Sequence, residues 1–282
     1  MPEISEEEIA VNKVLYKAKR INFILLKKQM KKLENKIVFI TGGLSGIGKA
    51  CAIASAKQGA NLAIADIRSP DSDKSMEEIK NENPKAIFIE CDVSVYAQVQ
   101  AAVENVVSTF GVLDVALNNA GIGGEPNKVG DMPEQAWLKV IGVNLNGVFN
   151  CMKHELTQMM KRKKGVIVNM SSILGKVGFA TSAHYVAAKH GILGLTQTAA
   201  LEYATDGIRI NAICPGFIDT PLIAKAGISG HADVKQHIIE LHPMKRLGRS
   251  EEVANGFIFL ACDDSSFITG TKLEIDGGYL AE

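Results

Sequence analysis

"VFITGGLSGIGKA", residues Val38 to Ala50, decides the fold. Its first part, "VFIT", is β-branched and aromatic, the composition of a buried strand. From Gly46 onward it reads as the first turns of a helix. Gly42, Gly46 and Gly48 give the spacing T-G-x-x-x-G-x-G. Glycine permits a tight turn and removes side chains where backbone must approach a ligand. A helix that begins near Gly46 offers free amide N–H groups and the positive end of its dipole, which favour a phosphate. Gly42, Leu44, Ser45, Gly46, Ile47 and Gly48 are therefore read as a phosphate-binding loop. The next apolar run, "NLAIAD" (61–66), ends in Asp66, eighteen residues beyond Gly48. An acid about 20 residues downstream accepts a hydrogen bond from an adenosine ribose 2′-OH. The same charge repels a 2′-phosphate, and the loop holds no base to bind one. The expected cofactor is NAD rather than NADP, with Arg68 as the feature that argues the other way.

Outward from this loop the same rhythm repeats. "KIVFIT", "NLAIAD", "KAIFIE" and "LDVALN" are short apolar runs, and amphipathic stretches over 46–59, 74–81 and 95–109 separate them. A long helix around 134–162, the strand "GVIVNM", a helix around 183–205 and the strand "IRINAI" follow. A helix around 250–261 and the strand "KLEI" complete the series. Strands alternating with helices imply βαβ units and a parallel sheet covered on both faces. The prediction is a doubly wound α/β Rossmann fold: a mostly parallel seven-stranded sheet, one catalytic domain over 34–282. Residues 1–33 differ. Early glutamates give way to eight bases among apolar residues at helical spacing, a basic amphipathic extension. It either docks on the body or a neighbouring subunit, frays as a tail, or touches anionic membrane.

Bulk properties exclude other classes. The 282-residue chain has zero formal net charge and 46% hydrophobic residues, so a large core is expected and nucleic acid is not. No apolar run reaches the roughly 20 residues that cross a bilayer, and "INFILL" is too short for a signal-peptide core. The five cysteines (Cys51, Cys91, Cys151, Cys214, Cys262) form no C-x-x-C pair and read as buried apolar residues in a reducing, cytoplasmic setting. His231, His237 and His242 lack metal-ligand spacing, so no metal is expected.

"HYVAAKHG" (184–191) places Tyr185 and Lys189 on one helical face, four residues apart. A neighbouring ammonium favours the phenolate and lowers the tyrosine pKa, which suits a general acid or base. Ser172 ends the strand "GVIVNMSS" at the carboxyl edge of the sheet, where ligands of open α/β folds bind. Strand alternation sends Ser171 to the other face. Asn144, placed mid-helix, is unfavourable enough there to suggest a local purpose.

Seven segments in order carry a family resemblance: "TGGLSGIG" (41–48), "CDV" (91–93), "NNAG" (118–121), Asn144 in "GVNLNG", "NMSS" (169–172), "YVAAK" (185–189) and "PGFIDT" (215–220). From about Leu33 to Tyr279 the chain resembles the short-chain dehydrogenase/reductases, in the branch with single-domain subunits. The resemblance implies that Asp92 contacts the adenine, with Val93 near it. It implies that Asn119, Ala120 and Gly121 line the cofactor cleft, with Asn118 and Asn119 read mainly as structural supports. Pro215 and Gly216 turn the chain over the cofactor, and Ile218 and Thr220 approach its carboxamide. Lys189 both tunes Tyr185 and bonds the nicotinamide ribose. Asn144 holds, by side chain or backbone, a water on a proton path from Lys189. Residues 221–245 form a lid, and the two long helices pair subunits into a homotetramer.

The expected activity is NAD-dependent interconversion of a secondary alcohol and a ketone, with Asn144, Ser172, Tyr185 and Lys189 as the catalytic group. The alternative is a binding module of the same fold that senses NAD(H) without chemistry. Phe179, Phe217, Leu222, Ile223, Ile228 and Ile239 favour an apolar or cyclic small-molecule substrate.

Overall fold

A computed structural model describes residues 31–225 and 232–281. Seven strands form one sheet: β1 (Ile37–Thr41), β2 (Asn61–Asp66), β3 (Ile87–Glu90), β4 (Val115–Asn118), β5 (Gly165–Met170), β6 (Ile208–Pro215) and β7 (Lys272–Ile275). Their order is β3-β2-β1-β4-β5-β6-β7, and every pairing is parallel. Nine helices among the described residues connect them. These are α1 (Gly46–Lys57), α2 (Ser72–Glu82), α3 (Tyr96–Phe110), α4 (Glu134–Ile141), α5 (Gly147–Met159), α6 (Ala183–Tyr203), α7 (Pro221–Lys225), α8 (Ala232–Glu240) and α9 (Ser250–Ala261). This is the doubly wound architecture that the alternating apolar runs predict.

Alternation along each strand builds two cores. Val38, Ile40, Leu62 and Ile64 pack with α1, α2 and α9 on one face of the sheet. Ile37, Phe39, Ala63 and Ala65 pack with α3, α5 and α6 on the other. Because successive strand residues point to opposite sides, a continuous apolar run is what a sheet buried on both faces requires. The strand order reverses between β1 and β4, which opens a crevice at their carboxyl ends. Thr41 and Asn118 lie side by side there.

Two boundaries differ from those read in the sequence. Leu33, placed in the extension, is fully buried, and its amide bonds to the Gln58 carbonyl. The apolar side chain joins the core beneath α1 and α9. The rest of that amphipathic stretch, residues 1–30, lies outside the described residues. The long helix over 134–162 is two helices joined by a π-helical segment, Gly142–Asn146. Gly147 bonds back to the Gly142 carbonyl, five residues earlier. Glycine and asparagine are weak helix formers, and π-segments concentrate at functional sites. Among the described residues, no helix is long and apolar enough to cross a membrane.

Candidate active site

The glycine loop sits at the crevice. Gly42 and Gly46 have φ of +63° and +50°, left-handed values that favour glycine. A Cβ on Gly48 would lie 2.0 Å from the Gly42 carbonyl oxygen, so the helix approaches the loop as closely as backbone allows. Ser45 precedes α1 and makes no side-chain cap, which leaves the first-turn amides to a ligand. Gly46 faces Thr220 across the cleft, 3.4 Å from where its own Cβ would stand. The Leu44 amide donates to Asp66 Oδ2 at 3.0 Å, and the Ile67 amide to Asp66 Oδ1 at 2.8 Å. Asp66 is thus fixed at the end of β2, its carboxyl raised by burial and pulled back by these two amides. Arg68 is turned away: it bonds to Glu90 and Asp73 and lies over the Phe88 ring. A glycine cradle, uncapped amides and an anchored acid fit a dinucleotide.

At the other end of the crevice the catalytic candidates converge. Ser172, Tyr185 and Lys189 line one cleft of about 330 Å³, together with Asn119, Gly121, Pro215, Gly216, Ile218 and Thr220. The Ser172 hydroxyl accepts the Leu174 amide at 3.1 Å and lines the same cleft as Tyr185. Lys189 is buried, its Nζ donating to the Met170 carbonyl at 2.7 Å and lying 5.5 Å from the Tyr185 ring centre. Burial pushes the Tyr185 phenol up to about 12, against the pull of Ser172. Burial also holds the Lys189 ammonium down to about 8. Desolvation in the protein alone therefore moves Tyr185 in the direction opposite to the lowering by Lys189 expected from spacing. Tyr185 is half-exposed to the cleft, and water reaching it weakens that upward push.

A model of the enoyl-(acyl carrier protein) reductase type matches residues 42–280. The cyclohexanol dehydrogenase of Acinetobacter sp. (strain SE19) is 44% identical over 251 residues, covering 89% of this chain and 97% of that protein. The cis-4-hydroxycyclohexanecarboxylate dehydrogenase of Sinomonas cyclohexanicum is 41% identical over 246 residues, covering 87% and 97%. Among solved structures, levodione reductase superposes with a TM-score of 0.86 at 36% identity, covering 88% of this chain and 99% of that one.

The chain is a short-chain dehydrogenase/reductase. It is an oxidoreductase of that family, whose members bind a nicotinamide cofactor. Both forms of that cofactor occur among similar structures. A xylitol dehydrogenase holds NAD+ (35% identity, TM-score 0.82, 88% and 100% covered). ElxO holds NADP (38% identity, TM-score 0.83, 88% and 100% covered).

Several residues of this short-chain dehydrogenase/reductase do work that spacing did not show. The Asn144 carboxamide binds one backbone unit from both sides: Oδ1 accepts the Ile122 amide and Nδ2 donates to the Ile122 carbonyl, both at 2.8 Å. Asn144 also sits in the π-segment rather than mid-helix. Asp92 Oδ1 takes both the amide and the hydroxyl of Ser94, turning the chain into α3, while buried Val93 faces Gly147. Asn119 Nδ2 donates to the Thr41 and Gly42 carbonyls. The Thr41 hydroxyl, unnoticed in sequence, receives the Asn119 and Ala120 amides. Ser171 donates to the Lys189 carbonyl at 2.9 Å, pinning α6 to β5. Of the three lid histidines, His242 is buried and accepts the Phe217 amide, because its ring fills the space between Phe217 and Tyr279. His237 is exposed on α8. Gly227, Ile228, Gly230 and His231 lie outside the described residues.

Proposed function

We propose that this protein is an NAD-dependent enzyme that interconverts a secondary alcohol and a ketone, with Tyr185 as general acid and base. The observation that carries this reading is the meeting of the Ser172 hydroxyl, the Tyr185 phenol and the Lys189 ammonium in one cleft. When bound, NAD supplies the hydride acceptor at nicotinamide C4 and, oxidised, a positive charge that favours the phenolate. Ser172 accepts the Leu174 amide, which leaves its own proton for the substrate oxygen. It thereby holds that oxygen against the Tyr185 hydroxyl. Tyr185 takes the alcohol proton in oxidation and returns one to the carbonyl in reduction. Lys189 spends one donor on Met170 and keeps two for the cofactor ribose and the proton path. The Asn144 backbone supports that path.

Asp66 and the diversion of Arg68 to Glu90 and Asp73 support NAD. The cleft walls support a small cyclic substrate. Phe179, Phe217, Leu222, Ile223, Val234 and Ile238 are apolar, and Lys189 is the one charged side chain among the described lining residues. The similar cyclohexanol and cis-4-hydroxycyclohexanecarboxylate dehydrogenases point the same way. Exposed apolar residues on the long helices, among them Trp137, Leu138, Phe149 and Leu201, support a homotetramer. Five free, buried thiols support a reducing, cytoplasmic setting.

The test is NADH absorbance with a panel of cyclic alcohols and ketones, run with both cofactors. Tyr185→Phe is expected to lose about 10²–10⁴-fold in kcat while still binding NADH. Wild-type turnover in that variant removes Tyr185 from the mechanism. Faster turnover with NADP than with NAD overturns the cofactor assignment.

A further inference from the structure

We propose that Glu155 is a neutral carboxylic acid that closes a two-bond ring with the Asn118 carboxamide and so positions the strand end carrying the cofactor cleft. Glu155 lies on α5 with no exposed surface. Asn118 Nδ2 donates to Glu155 Oε2 at 3.1 Å. Two oxygens on this same pair of side chains, Asn118 Oδ1 and Glu155 Oε1, are buried without a hydrogen-bond partner. An ionised carboxylate has no proton to offer either of them. A carboxylic acid has one, and Oε1–H donated to Oδ1 satisfies both atoms at once. Leaving buried polar atoms unpaired is the costlier alternative.

Among the described residues, Glu155 has no counter-ion. On α5 itself Glu155 acts on Cys151, a buried thiol that Cys91 also influences; both thiols are pushed up by burial. His154 packs against the Tyr96 ring of α3 with its Nε2 buried, and Glu104 of α3 acts on His154. Lys189, the buried lysine of α6, donates to the Met170 carbonyl. The segments "VALN" of β4 and "GVIVNM" of β5 hold no ionisable side chain. Burial accordingly raises the Glu155 carboxyl to about 8.

The ring reaches the site through short links. Asn118 Nδ2 also donates to Asn169 Oδ1 of β5, and Asn169 Nδ2 to the Thr196 hydroxyl of α6. Asn118 precedes Asn119, whose side chain holds the Thr41 and Gly42 carbonyls of the glycine loop. Glu155 is thus a positioning residue. Its step to the cofactor rests on the reading given under Proposed function.

The sign of the pH effect follows from a raised carboxyl. The folded state keeps its proton while the unfolded chain releases it, so this contribution is complete below about 4.5 and lost as pH rises to about 8. Glu155→Gln supplies the same donor and acceptor without titrating. Melting of wild type and Glu155→Gln is to be compared from about pH 5 to about pH 9. The variant's advantage is expected to widen as pH rises towards 8 and then level off; parallel curves overturn the proposal. Infrared spectra at neutral pH are expected to show a protonated-carboxyl band that Glu155→Gln lacks, and absence of that band in wild type also overturns it. NADH affinity in wild type is expected to weaken several-fold as pH passes about 8, while the variant holds steady. Equal affinity profiles overturn the positioning role. If NADH binds at no pH, the cofactor reading fails, while melting and infrared still decide the acid–amide ring.

Discussion

Asn144 shows how far a single residue's role depends on its partner. Its type and position signal a local purpose, and its carboxamide binds the backbone of Ile122. Two bonds of 2.8 Å fix Ile122 and so the wall segment after Gly121. Asn144→Ala is expected to cost about 1–3 kcal/mol of stability and to lower kcat more than it raises KM, because the wall loses its anchor. Thermal melting with steady-state kinetics checks both, and an unchanged kcat would detach Asn144 from catalysis. Tyr185 and Lys189 were legible because a helix brings i and i+4 together whatever surrounds it. The direction of their pKa shifts was not, because desolvation depends on every element packed around them.

At the scale of elements, the strand–loop–helix unit around Gly42 is the most local feature of the molecule and was read most completely. Its glycines are required by contacts as well as by turn geometry. Gly48→Ala would drive a Cβ against the Gly42 carbonyl and within 2.5 Å of Asn119 Nδ2. The expected result is a loss of about 1–3 kcal/mol and NADH binding weaker by about tenfold or more, read by melting and fluorescence titration. Full affinity in this variant would mean that the loop has room the geometry denies it. The joint between α4 and α5 was missed for the opposite reason. Apolar periodicity runs on through Gly142–Asn146, and only the bond from Asn144 across to Ile122 rewards the wider turn.

For the whole molecule, the exposed apolar helix residues carry a prediction about assembly. Leu138 is 57% exposed on α4 and Leu201 84% on α6, a poor use of large apolar side chains in a free monomer. Light scattering is expected to report a homotetramer, and a stable monomer would refute that. What the sequence alone determined was the alternation of apolar strands with amphipathic helices, the glycine loop with its acid, and the tyrosine–lysine spacing. Those signals are local: each arises within a few residues from backbone period or turn chemistry. The tertiary structure alone decided which distant groups meet. It joined Glu155 to Asn118 across 37 residues and Asn119 to the glycine loop across 77. It also buried Lys189 and packed Tyr185 so that desolvation sets the direction of both shifts. Such pairings and solvation energies depend on packing between elements remote in the chain, and no local pattern encodes them.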